Sequence, residues 1–193
     1  MKRISSIRKF IAVIPGAVIM YLIQTCVMTY LPVGGVYGSV LYAYLGVVIV
    51  SCGRKGAFCA SAMLGILCEA MLSNVKGLYI ICYPVLTMLY AQAFADKTER
   101  QVERQVLLHP ERSHVQMHPL ARIFFCVLLL SVSFQVIFLA YGYLNGVALT
   151  FGHIGRALLQ TLYTLALTVP VGLAVRSVLG MYRRVPMPEG GVS

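Results

Sequence analysis

Between Phe10 and Ala95 the chain carries one acidic residue, Glu69, inside the oily stretch GILCEAMLSNVKGL, residues 65–78. A carboxylate that relays protons through a membrane normally has basic, acidic or histidine companions at the same depth. None accompanies Glu69, so two uses stand. It locks a turn by bonding Ser73, Asn74 or Lys76, or it lines a contact site for a partner helix or a small ligand. Signatures of enzymes are missing: there is no G-x-S-x-G, HExxH, phosphate loop or glycine-rich dinucleotide fingerprint. His153 and the end of the helix carrying Cys82 fall on one side, but nothing else supports a Cys/His protease. His109, His114 and His118 lack a carboxylate or cysteine at ligand spacing. The six cysteines, Cys26, Cys52, Cys59, Cys68, Cys82 and Cys126, form no CxxC pair and read as small apolar packing residues. The sequence therefore predicts no catalytic residue, no metal and no cofactor.

The elements that position Glu69 follow from composition. Hydrophobic residues make up 59% of the 193 and charged residues 11%. That leaves too little polar surface to cover a water-soluble globule of this size. At about 20 apolar residues per crossing, the length fits one bundle of membrane helices. Six crossings are expected, over residues 10–31, 36–52, 57–73, 77–95, 123–144 and 157–180. The first ends in the uncharged turn LPVGGVYGS, and the second at GRKG, residues 53–56. Residues 145–156 read as a linker. The basic start followed by an oily run reads as an uncleaved first helix, since the run is long for a signal peptide.

Lysine and arginine counts in the loops set the orientation. With the N-terminus in the cytoplasm, fourteen of the sixteen basic residues face inward, leaving Lys76 and Arg156 outside. Both termini are then cytoplasmic. The net charge of +10 is distributed between oily segments rather than on a polar face, which excludes a nucleic-acid reader. Arg54, Lys55, Arg100 and Arg104 belong to the expected cytoplasmic basic face, which suits anionic lipid. The one long polar stretch, residues 96–122, reads as a helical extension of the fourth crossing followed by a loop. Asp96 and Arg100 stand four apart in the favourable order, and Val102 and Val106 form an apolar edge.

Small residues recur around Glu69. Ala57, Ser61, Gly65 and Glu69 fall on one helical row, a stripe that lets helix backbones approach where water does not drive association. The stripe serves packing within the chain or contact with another protein. Ala12, Gly16 and Ala17 form a second small patch beside Pro15. Pro84 and Pro170 also lie inside crossings, where each can kink its helix. Gly77 opens the fourth crossing. Tyr30, Tyr37, Tyr42, Tyr79, Tyr83, Tyr141 and Tyr143 lie toward the outer side, as a belt at the headgroup level or the lining of an outer cavity.

Residues 45–90 resemble the rod shape-determining protein MreD family. The resemblance lies in a basic turn before glycine (Arg54, Lys55, Gly56), a glycine–hydrophobic–hydrophobic–x–acid run (Gly65 to Glu69), and a Gly-Leu pair opening the next helix (Gly77, Leu78). Segment ALLQTLYTLALTVPVGLAVR, residues 157–176, is similar to the family's last helix. The family more often has aspartate where this chain has Glu69, and the 96–122 stretch is long for it. The resemblance implies a non-enzymatic scaffold of the bacterial cell-elongation machinery, in the inner membrane. Its implied partners are an MreC-like protein, a RodA-type glycan polymerase with its transpeptidase, and an MreB-like filament. Glu69, Gly65, Ser61, Gly77, Ala12 and Gly16 are then the candidate partner contacts. A second resemblance, in length, six helices and an inward N-terminus, is to the substrate-binding membrane subunits of energy-coupling-factor vitamin transporters. Ala12 and Gly16 partly match the small-residue docking motif in the first helix of those subunits.

Overall fold

Gly53 reverses the chain within a single residue. The computed structural model describes residues 6–71, 77–94, 119–148 and 150–178. They form α1 (Ser6–Cys26), a 3-10 turn (Met28–Tyr30), α2 (Val40–Met71), α3 (Leu78–Phe94), α4 (Pro119–Leu144) and α5 (Phe151–Val178). The fold is all-α, and the one extended pairing among the described residues is the isolated bridge Val33–Val36. Gly53 interrupts α2 at φ 69°, ψ −174°, a region open to glycine alone. A straight helix would hold Tyr42 and Cys68 about 39 Å apart. Instead both lie against Tyr83, so α2 is a hairpin with limbs 40–52 and 54–71.

The first limb of α2 is the axis of the molecule. It is buried without interruption from Val40 to Val50. A helix that is apolar on every side can only be satisfied this way. Around it stand α1, the second limb of α2, α4 and α5, and α3 closes the wall between the second limb and α4. Close approach depends on missing side chains. A Cβ at Gly46 would run into Val127 Cγ2 on α4, and one at Gly16 would lie 2.9 Å from the Tyr44 hydroxyl. That hydroxyl donates to the carbonyl of Val13 at 2.6 Å, two residues before Pro15 in α1.

Scattered polar side chains tie the helix ends. Gln24 Nε2 donates to Gly38 O at 3.1 Å, and its Oε1 accepts from Val40 N–H at 2.7 Å. Ser39 N–H donates to Thr164 Oγ1 on α5 at 3.0 Å. Together these satisfy backbone groups at the start of α2 that no helical partner reaches. At the other end Arg122 Nη2 donates to Phe94 O at 2.6 Å, joining α4 to the end of α3.

These contacts also give direction, since successive limbs pair antiparallel. All six limbs alternate, and the first turn of α1, the Gly53 turn, the end of α3 and the end of α5 gather at one end. Arg54, Lys55, Arg122 and Arg176 lie there, while Arg156 lies at the other end. Four helices, α1, α2, α4 and α5, are long and apolar enough to cross a membrane. α3 is apolar but has 17 residues.

The helix ends do not coincide with the expected bounds of the crossings. α5 begins at Phe151, six residues before the expected start, so the linker is shorter than 145–156. Gly152, Gly155 and Arg156 weaken the apolar signal there. The first turn is held locally instead: Thr150 N–H donates to His153 Nδ1 at 3.2 Å, and His153 N–H donates to Thr150 O at 2.9 Å. α4 starts at Pro119 rather than Ile123, with proline at the first helical position where its missing N–H costs nothing. The expected features of residues 96–118, Arg100 and Arg104 among them, lie outside the described residues, as do His109, His114 and His118.

Candidate functional site

Glu69 stands at the corner where α2 gives way to α3. Its Oε1 accepts a hydrogen bond from the backbone N–H of Gly77, the residue just before α3. That N–H points away from any helical partner, and the start of α3 carries the positive end of its dipole. A hydrogen bond of this kind contributes about 0.5–1.5 kcal/mol net. Gly77 has φ 82°, the left-handed region in which a side chain would be strained. The lone acid and the glycine eight residues later are thus one device, which fixes how α3 leaves α2. Glu69 Oε2 is buried and has no hydrogen-bond partner among the described residues. Ser73, Asn74 and Lys76, the expected partners for a turn lock, lie outside those residues.

The stripe that leads to Glu69 faces inward. Ala57 and Ser61 are wholly buried, and the Ser61 hydroxyl donates to Phe58 O at 2.9 Å. A Cβ at Gly65 would lie 2.9 Å from Tyr79 O and 3.2 Å from Ile80 Cα. Here the backbones of α2 and α3 touch, so Ser61 and Gly65 present no surface to a second protein. Gly16 is likewise occupied from within by Tyr44, and Ala12 is partly buried against the core. Close approach of the chain's own helices uses these residues, because small side chains serve internal and external contacts by the same geometry. Of the six candidate contacts, Glu69 and Gly77 come together at the corner. Ala12 and Gly16 lie on α1, away from it.

Next to the corner four aromatic rings fill the space between α2, α3 and α4. Phe134 lies 5.1 Å from Tyr42 and 5.1 Å from Tyr83, centroid to centroid, and 5.9 Å from Tyr79. Rings at these separations are in mutual contact. Tyr42 and Tyr83 are buried core residues rather than members of a headgroup belt, whereas Tyr30, Tyr37 and Tyr143 are exposed. The cluster is filled by its own side chains, which counts against a ligand slot between the tyrosines.

No protein-family model, curated protein or solved structure matches this chain. Tyr79 and Cys68 interact electrostatically with Glu69, and no histidine or basic side chain is among its described partners. Among the described residues no three of His, Cys, Asp and Glu come together as a metal site. All six cysteines are free thiols, with Cys68 and Cys126 buried.

Motifs and small-residue rows do not point to Gln24, Tyr44 or Tyr90, yet all three hold the bundle together. Each is a hydrogen-bonding side chain inside an oily run. Each ties its helix to a distant backbone group or hydroxyl: Gln24 to Val40, Tyr44 to Val13, Tyr90 to Ser133. A polar group at such a position needs a partner, and that requirement is the signal that marks interhelical ties.

Proposed function

We propose that the chain is a six-crossing, MreD-like membrane scaffold of the bacterial cell-elongation machinery, with both termini in the cytoplasm. The observation that carries this reading is that the acid and the glycine of the motif meet, Glu69 holding Gly77 where α3 leaves α2. Arg54, Lys55 and Gly56 follow the Gly53 reversal, Gly65 seats α3, and Glu69 holds Gly77 at the next turn. Arg54, Lys55 and Gly56 thus mark the turn between the limbs of α2, while Gly65, Glu69 and Gly77 build the corner between α2 and α3 toward the other end of that limb. The two limbs of α2, together with α1, α3, α4 and α5, supply the six crossings, and the gathered arginines and lysines mark the cytoplasmic end.

A scaffold works through surfaces rather than reacting groups. The corner exposes Ile66, Met71, Ile81 and Val85 on its outer side, an apolar face suited to a partner's transmembrane helix. An MreC-like protein is the partner assigned to it. The polymerase and its transpeptidase, the MreB-like filament and anionic lipid are the further partners, the last two at the basic end.

Two experiments test this. Glu69→Ala releases Gly77 and lets α3 shift, so capture of a co-expressed MreC-like protein is expected to fall severalfold with membrane insertion unchanged. Undiminished capture would remove the corner from the interface. Topology is checked with a cysteine-free background carrying Asn145→Cys or Lys55→Cys. An impermeant maleimide is expected to label the first in intact cells and the second only after permeabilisation; the reverse pattern would overturn the orientation.

A further inference from the structure

Among the described residues the α4–α5 hairpin outruns the rest of the bundle. No described residue between Gln135 and Gln160 is buried, although α4 and α5 have 26 and 28 residues. Its tip exposes Leu144 at 82%, Phe151 at 91% and Leu158 at 62%. From Ile123 to Gly155 the chain has no charged residue at all. A projection into water built this way would expose a large apolar patch. The uncharged, tyrosine-bearing composition is that of a segment lying at a membrane interface.

Two independent counts place that interface. About 20 helical residues cross the hydrocarbon of a bilayer. Counted along α4 from Arg122 at the basic end, they reach Gly142, between Tyr141 and Tyr143. Counted back along α5 from Arg176, they reach Arg156. The tyrosine pair and the exposed cation of the far end therefore share one depth, the outer headgroup layer.

We infer that the tip of the α4–α5 hairpin is an outer-leaflet anchor in which Arg156 holds the phosphate of a phospholipid while Tyr141 and Tyr143 lie beside it at the headgroup level. A guanidinium matches phosphate oxygens with paired hydrogen bonds, and its apolar stem suits the boundary. The inference rests on the membrane reading and on no protein partner.

The chain contains no tryptophan, so Tyr143→Trp supplies a unique fluorophore at an exposed site of the counted depth. In phosphatidylcholine bilayers its emission is expected to be blue-shifted. Quenching should be severalfold stronger by lipid brominated near the top of the acyl chains than by aqueous iodide. Adding Arg156→Gln, or moving the Tyr143→Trp protein into bilayers of phosphate-free galactolipid, is expected to shift the emission to the red and raise iodide quenching. Strong iodide quenching with no bromolipid quenching in phosphatidylcholine would put the tip in water and overturn the anchor. Insensitivity to both Arg156→Gln and galactolipid would overturn the phosphate contact. Neither result would alter the maleimide pattern or the partner capture, so this inference fails separately from the scaffold reading.

Discussion

Gly65→Val is expected to destabilise the protein more than any other single replacement on the α2–α3 interface. The obstacle is backbone, not a side chain that can rotate away: the new Cβ would sit 2.9 Å from Tyr79 O. Either α3 moves outward or the Glu69–Gly77 bond is given up. Overpacking of a rigid contact typically costs about 1–3 kcal/mol, and a branched residue against a main-chain carbonyl belongs at the upper end. Thermal unfolding in detergent is the measurement, with a large fall in midpoint and loss of a monodisperse peak. Gly155→Ala is the control. It lies in α5 with nothing within 4 Å of the added Cβ, so relief from glycine's flexibility should leave stability unchanged or raise it by about 0.5–1 kcal/mol. Equal midpoints for Gly65→Val and the original protein would mean that α2 and α3 do not meet as described.

Gly53→Val is expected to fail in a different way, through topology. At φ 69°, ψ −174° a side chain is strained, at a cost of about 1–3 kcal/mol for a residue held in such a region. A β-branched residue has still fewer allowed conformations. The strain disappears if α2 continues straight, as one helix of 32 residues. That would carry its second limb away from the first and undo the burial of Cys68 beside Tyr83. On the proposed six-crossing topology, every later crossing would then start from the wrong side. The readout is Asn145→Cys labelling in intact cells, expected to drop sharply when Gly53→Val is added, together with low yield of folded protein. Gly53→Ala should show a milder loss of thermal stability with labelling retained. Full labelling and an unchanged unfolding midpoint with Gly53→Val would show that the reversal does not need glycine.

Both glycines fall within residues 45–90, the region whose motifs are visible in the sequence, but their roles are not equally legible there. The break at GRKG is plain, because two charges interrupt an oily run. That one residue makes the whole turn is not, since backbone dihedrals leave no trace in hydropathy. The row Ala57, Ser61, Gly65, Glu69 is visible as a row, but not the helix it faces. In water, apolar periodicity points to the core. In lipid, the outside of a helix is as apolar as the inside, so the pattern does not say which neighbour a face meets.

The sequence by itself determined that this chain is helical, that oily segments of membrane-crossing length make it up, and that its basic residues collect between particular pairs of them. Those properties depend on transfer of local segments from water and need no knowledge of neighbours. Only the tertiary structure decided that the first limb of α2 is the central axis, that Glu69 bonds Gly77, that Tyr42 and Tyr83 are core, and that the α4–α5 tip stands clear of the bundle. Each of those depends on which side chains from distant segments fit at van der Waals distance, and packing of that kind is a property of pairs, not of any one stretch of sequence.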